Sequence, residues 1–473
     1  MVYINGKWRQ SETKMEVRNP ATNEVIKTVF TVGKAETEEA IQSAKQAFKS
    51  WKKTTFTERV TYLEEAARLL EEQSEELAQL ITKENGKPIA DARYEVNDGI
   101  AFLHWYAEEA KRIYGDVLPA AAKDKQLFVI RRPIGVCAAI TPWNFPFSMI
   151  TRKIAPALAT GCTIILKPAS VTPLSAIKVF ECFHKAGLPK GVVNLVIGKA
   201  SEIGNTLTAS EDVKKITFTG STDVGKLLLR DSAETVKASS MELGGHAPFI
   251  VFADSDIDGA IDGVLMTKFT NSGQTCVSTN RIYVEKSIAE EFTSKLVQKV
   301  EKLKIGNGLD EDVNVGPVID SNSFEKIMNQ IADAKAKNGE VICGGRQYDN
   351  KTGGYFIEPT IISNANEDML IAYEETFGPV VPIFTFKGEE EIIEKANHTH
   401  YGLAGYCYTK DLGRAFRMME ELEYGMVGIN DPAPFAIHTP FGGVKESGLG
   451  QEGGKYGLEA YLITKYISFN INY

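Results

Sequence analysis

Cys276 stands in the run Asn271-Ser-Gly-Gln-Thr-Cys-Val-Ser-Thr-Asn-Arg281, flanked by Gly273, Gln274 and Thr275. Small polar neighbours of this kind predict a non-helical segment with an accessible sulfur, the setting a reactive thiol needs. Upstream, Met241-Glu-Leu-Gly-Gly-His246 places the Glu242 carboxylate before two glycines that permit a tight turn. A thiol nucleophile and a carboxylate able to activate water point together to covalent catalysis. A single cysteine is more often a small buried hydrophobe, so the rest of the chain must decide. In Thr141-Pro-Trp-Asn-Phe-Pro-Phe147 two prolines hold Trp143 and Asn144 in a loop. An amide fixed there could steady an oxyanion; the alternative is an ordinary aromatic turn.

The elements that must position these groups can be read from periodicity. Residues 1–30 read as short strands around turns at Asn5-Gly6 and Asn19-Pro20. Ala40, Ile41, Ala44 and Phe48 follow helical spacing, and Thr55 with Glu58 resembles a capping box. The helix it opens carries Val60, Leu63, Leu70 and Leu77 on one side, and a third helix is expected from about Asp91 to Arg112. These stripes read as core packing, with nothing chemical before residue 115. Residues 126–132 and 135–140 are strand-like, broken at Pro133. From 150 to 220 the pattern alternates in a parallel α/β manner, ending on the strand Lys215–Thr219. That strand runs into Gly220-Ser-Thr-Asp-Val-Gly225-Lys226, where backbone N–H groups could meet a pyrophosphate.

Several other chemistries are excluded or disfavoured. Gly220 to Lys226 spells GxxxxGK, but Leu227 replaces the Ser or Thr that a P-loop needs for magnesium. Gly448-Leu-Gly-Gln-Glu-Gly453 spells GxGxxG without a strong strand before it and is rejected as a dinucleotide fingerprint. His246 lies near Glu242, yet no third orienting residue supports a Cys–His hydrolase. His438 sits in a loop and reads as exposed. At 473 residues and a net charge of −9, the chain is long enough for two or three domains and lacks a nucleic-acid footprint. Six cysteines without CxxC pairs indicate neither a metal site nor a disulfide framework, and they fit a reducing compartment. The amino end lacks an apolar signal core and no run is long enough to span a bilayer, so the expected location is cytoplasmic.

Seven motifs in order carry a resemblance over nearly the whole length: Pro142-Trp-Asn-Phe-Pro146, Lys167-Pro-Ala, Gly220–Gly225, Glu242-Leu-Gly-Gly245, Gly273-Gln-Thr-Cys276, Glu374-Glu-Thr-Phe-Gly-Pro379 and Pro440-Phe-Gly-Gly443. Together they resemble the NAD(P)-dependent aldehyde dehydrogenases. The resemblance implies a Rossmann-like cofactor-binding domain (residues 1–114 and 135–244), an α/β catalytic domain (245–459) and a small β oligomerisation arm (115–134 and 460–473), assembling as a homodimer or homotetramer. Cys276 would attack an aldehyde, Asn144 would hold the oxyanion and Glu242 would activate the hydrolytic water. Trp143, Lys167, Ser170, Gly220, Ser221, Gly225, Glu375 and Phe377 would bind the cofactor. Related NAD-preferring chains often carry Glu where Ser170 stands, so NADP preference or dual use with NAD is expected.

The substrate side is closest in pattern to succinate-semialdehyde dehydrogenases. Arg152 would hold a carboxylate or sulfonate, with Thr270 and Ser278 beside it. That group commonly has Arg where this chain has Thr270, and Cys where it has Ser278. A different acidic aldehyde, or a neutral one, is therefore the alternative substrate; a non-catalytic protein on the same fold is the alternative of another class.

Overall fold

The computed structural model describes residues 1–349 and 351–471; Asn472 and Tyr473, at the end of the expected arm, lie outside them. Two sheets organise the chain. The first has eight strands in the order Gly448–Leu449, Ala238–Glu242, Val213–Thr219, Val136–Ile140, Thr163–Lys167, Val193–Leu195, Val2–Ile4 and Lys7–Arg9. Its five central strands are parallel. The middle two, Val136–Ile140 and Thr163–Lys167, are mostly apolar and almost wholly buried, as expected of parallel strands covered on both faces. The chain runs outward from Val136–Ile140 through Val193–Leu195, then returns to its other side with Val213–Thr219. The order therefore reverses between these two neighbours, and a crevice opens at their carboxyl ends.

The second sheet has seven strands, centred on Ala247–Val251 and Thr279–Glu285. Only residues 243–246 separate it from the last parallel strand of the first. The amino ends of its central strands therefore face the carboxyl ends of the first sheet. Beyond Phe441 the chain returns to the first sheet, where Gly448 pairs with Glu242, and Leu458 and Tyr461 join its core.

One expectation changes. The stripe from Val60 to Leu77 is not one helix: it breaks after Glu71 and restarts at Ser74. Gln73 turns its amide back to the Leu69 carbonyl at 2.7 Å, so the apolar stripe continues while the backbone does not. The carboxyl-terminal strand pairs within its own chain. Leu462–Asn470 runs antiparallel to Lys125–Pro133 over nine residue pairs, with Asp116–Leu118 on the far side. Its outer edge carries exposed Ile463, Tyr466 and Phe469.

Candidate active site

Cys276 lies in a turn just before the Thr279–Glu285 strand, half-buried, at the wall between two cavities. Three consecutive residues ahead of it, Asn271, Ser272 and Gly273, take left-handed φ values of 50°, 57° and 77°. Such a run is strained for non-glycine residues and needs external ties. Asn271 supplies two, its N–H to the Asp91 carboxylate at 2.8 Å and its amide to the Asn144 carbonyl at 3.0 Å. The Ser272 hydroxyl adds a third, to the Gly316 carbonyl at 3.0 Å. Gln274 is held through both ends of its amide, donating to Asn271 and Pro317 carbonyls and accepting from Ile319 N–H. Gly245 is needed here, because a Cβ on it would stand 2.2 Å from the Cys276 carbonyl oxygen.

Asn144 is buried, and one amide hydrogen donates to the Gln274 carbonyl at 3.0 Å. A second hydrogen remains on that nitrogen. Its loop is pinned by an ion pair that the sequence did not advertise: Lys87 Nζ meets Glu95 at 2.6 Å, with both side chains fully buried. Lys87 also donates to the Asn144 carbonyl at 2.8 Å, and Glu95 accepts from the N–H groups of Phe147 and Ser148. Burying such a pair is costly unless its remaining donors and acceptors are engaged, and these contacts engage them.

Glu242 ends the Ala238–Glu242 strand at 2% exposure, and neither carboxylate oxygen has a hydrogen-bond partner among the described residues. It lines neither cavity. Burial first, then the Glu452 carboxylate, push its pKa well up, against the pull of Lys153 and Arg152. The Cys276 thiol is pushed up to about 12 by burial and by the Glu375 carboxylate, with Arg152 acting the other way. His246, by contrast, has its pKa driven well down by burial and by Arg281, and its ring faces the Ile371 carbonyl at 3.3 Å. That is a neutral structural imidazole.

The crevice-side cavity, about 220 Å³, is lined by Trp143, Asn144, Gly220, Ser221, Glu375 and Phe377 along with the thiol. These six expected residues do converge. Trp143 and Phe377 meet edge-on at 5.5 Å, and Glu375 accepts the Gly245 N–H at 3.0 Å. Gly225 lies one turn into the Thr222–Ala233 helix, against Leu243. Lys167 and Ser170 sit on and just past the carboxyl end of Thr163–Lys167, outside this cavity. Lys326, from the Ser321–Ala336 helix, also lines it and was not foreseen.

The donor set fits an anionic dinucleotide. Lys167 is 4% exposed, and its ammonium has no hydrogen-bond or ion-pair partner among the described residues. Burial lowers its pKa to about 8. The Thr222–Ala233 helix has no capping side chain, leaving its first N–H groups for an acceptor.

The opposite cavity, about 310 Å³, is lined by Arg152 and Thr270 as expected, but not by Ser278. Ser278 is fully buried beneath the turn with an unpartnered hydroxyl; the two-residue step from Cys276 carries its side chain inward, away from the cavity. The loop before Pro440 contributes Pro432 and Phe435, while His438 stays exposed and packs on Trp105 at 6.0 Å. The larger omission is the Ile89–Glu109 helix, read as core packing alone. It brings Asp91, Tyr94 and Asp98 to this cavity. Asp91, Glu95 and Asp98 repeat at helical spacing, and that acidic face was the available signal.

A doubly wound sheet whose switch-point crevice meets a turn-mounted thiol is the arrangement that a dinucleotide-dependent oxidoreductase using a thiol nucleophile requires. Comparison with known proteins fixes the family. Residues 8–467 match the model of the aldehyde dehydrogenase family. The chain is 50% identical to the 3-sulfolactaldehyde dehydrogenase of Pseudomonas putida, covering 98% of this chain and 96% of that one. It is 48% identical to the NADP(+) succinate-semialdehyde dehydrogenase of Escherichia coli K12, covering 99% and 97%. Among solved structures, an NADP-dependent enzyme of E. coli superposes with a TM-score of 0.98 at 48% identity, covering 100% of this chain and 98% of that one. A betaine aldehyde dehydrogenase from Staphylococcus aureus, solved with NAD+, gives 0.97 at 38% identity, covering 100% and 95%. The chain belongs to the aldehyde dehydrogenase family. It is an oxidoreductase acting on aldehydes, and either NAD or NADP fits its cofactor site.

Proposed function

We propose that the protein oxidises a short acidic aldehyde to the acid through a thioester on Cys276, with succinate semialdehyde the first substrate to try. The observation that supports this most directly is the shared wall: Cys276, with Met149, links one cavity to which Arg152 brings a guanidinium without a partner among the described residues and another lined by cofactor-type residues. The thiolate adds to the aldehyde carbon. The free hydrogen of the Asn144 amide and the Cys276 N–H take the charge that develops on oxygen. A nicotinamide held in the crevice-side cavity would supply the hydride acceptor needed to take the thiohemiacetal to a thioester. Glu242, held by no hydrogen bond, then turns toward the thioester and removes a proton from the attacking water. Arg152 anchors the far carboxylate or sulfonate, with Thr270 on the same wall.

Lys167 and the amino end of the Thr222–Ala233 helix would hold the phosphates and ribose, Glu375 the second ribose, and Phe377 and Trp143 would contribute to the nicotinamide side. Ser170 presents no negative charge to a 2′-phosphate, which supports use of NADP as well as NAD. Residues 1–114 and 135–244 form the cofactor unit and 245–459 the catalytic unit, although 448–459 packs on the first. Residues 115–134 and 460–473 form an arm whose exposed edge suits a homodimer or homotetramer in the cytoplasm. The names of the two relatives point to the same acidic substrates. Wild type should reduce the nicotinamide with succinate semialdehyde, Cys276→Ala should fall by at least ~10³-fold, and a labelled acyl group should be trapped on Cys276. Trapping it elsewhere would sink the scheme.

A further inference from the structure

The substrate-side cavity does not end at Arg152. A second chamber of about 180 Å³ continues past it, and Tyr94, Asp98, Arg152, Phe435 and Phe441 line both. Cys276 borders only the first. Asp98 and Arg152 therefore share the end of the cavity away from the thiol.

Neither is satisfied. Among the described residues no hydrogen bond or ion pair engages the Asp98 carboxylate, and Arg152 Nε and Nη1 are buried without an acceptor at 8% exposure. A carboxylate and a guanidinium sharing one cavity ordinarily close into a bidentate pair. Among the described residues no such pair forms here. Asp98 rides on the Ile89–Glu109 helix next to Gly99, where a Cβ would stand 2.4 Å from the Phe147 ring, so this helix is locked close against Ser148–Thr160. Arg152, on the second helix, is clamped between the Phe102 ring at 4.9 Å and the Phe441 ring at 4.5 Å. Both side chains line the shared chamber, where one ligand can meet each of them.

We propose that Asp98 determines specificity, reading with Arg152 a two-part substrate tail: an anionic group on the guanidinium and a neighbouring hydroxyl donated to the Asp98 carboxylate. This rests on Cys276 being the thiol that attacks an aldehyde, and it narrows the substrates to acidic aldehydes hydroxylated beside the anion. A tail without that hydroxyl leaves the carboxylate unpaired and facing the ligand's own negative charge, between aromatic walls. The hydroxyl removes the first cost and offsets the second.

The test compares kcat/KM for 2-hydroxy-4-oxobutanoate with that for 4-oxobutanoate. Wild type should prefer the hydroxylated aldehyde by about tenfold or more, and the preference should collapse toward one in Asp98→Ala, with Asp98→Asn between. A binding readout on the wild-type protein needs neither turnover nor a folded variant: malate should protect Cys276 from iodoacetamide at about one-tenth the concentration of succinate. Equal treatment of the two tails by the wild type, or a preference that survives in Asp98→Ala, overturns the proposal. If malate protects better while no aldehyde reduces either nicotinamide, the tail site stands and the catalytic reading of Cys276 falls.

Discussion

The two cavities that meet at Cys276 are built in opposite ways. On the crevice side, contacts come from short segments at the carboxyl ends of neighbouring parallel strands: the 141–147 loop after Val136–Ile140 and Gly220–Ser221 after Val213–Thr219. Each segment is contiguous in sequence, and its backbone does much of the work. On the substrate side, the wall is two to four spaced side chains from each of three separate helices, Ile89–Glu109, Ser148–Thr160 and Ile257–Phe269, with further residues from loops. A strand-end loop presents the same backbone donors whatever surrounds it. A helix-built wall changes chemistry with every side-chain replacement. The cofactor side is therefore the part a family can hold constant, and the substrate side the part it can vary.

The largest expected effect belongs to neither cavity. Glu242→Gln should lower steady-state turnover by ~10²–10⁴-fold while a first-turnover burst of reduced nicotinamide survives, read by stopped-flow absorbance. Loss of the burst as well would mean that Glu242 acts before the thioester forms. Next comes a crossed pair. Lys167→Met should raise KM for the dinucleotide, and Arg152→Leu should raise KM for an acidic aldehyde, each by ~10–100-fold, with smaller changes in kcat. If each variant disturbs both KM values alike, the two cavities are not functionally separate.

The smallest effect sharpens the boundary itself. With the thiol pushed up to about 12, iodoacetamide labelling of the free protein should rise with pH across the neutral and alkaline range, following the thiolate. Glu375 on the crevice side raises that pKa and Arg152 on the other side lowers it. At about pH 8, Glu375→Gln should therefore label faster and Arg152→Leu slower, each by ~2–10-fold. Glu375 is itself pushed up to about 7 by burial, so its effect should fade below that pH, where the carboxyl is protonated and no longer repels the thiolate. Equal labelling of both variants at all pH values would show that neither cavity biases the thiol.

What was legible follows the same division. The turn around Cys276, the Asn144 loop and the Gly220–Gly225 helix entry are local features with local signatures. Residue types and spacing alone mark them as places for chemistry. The Lys87–Glu95 pair behind Asn144 was not legible, because two charged residues eight apart on and before a helix look like a solvated face until the fold buries them. Ser278 misled for a related reason: adjacency to the nucleophile in sequence does not fix which way a side chain points in an irregular turn.

The sequence by itself determined the elements, the candidate nucleophile, the carboxylate and the dinucleotide-type turns, since each is written in neighbouring residues whose spacing carries its own physics. Only the tertiary structure decided that the first sheet's carboxyl ends face the second sheet's amino ends, that Glu242 is held without partners, and that Asp98 and Arg152 share one chamber. Those facts depend on close contact between helices and on what burial does to charge. Neither can be read until distant segments are brought together.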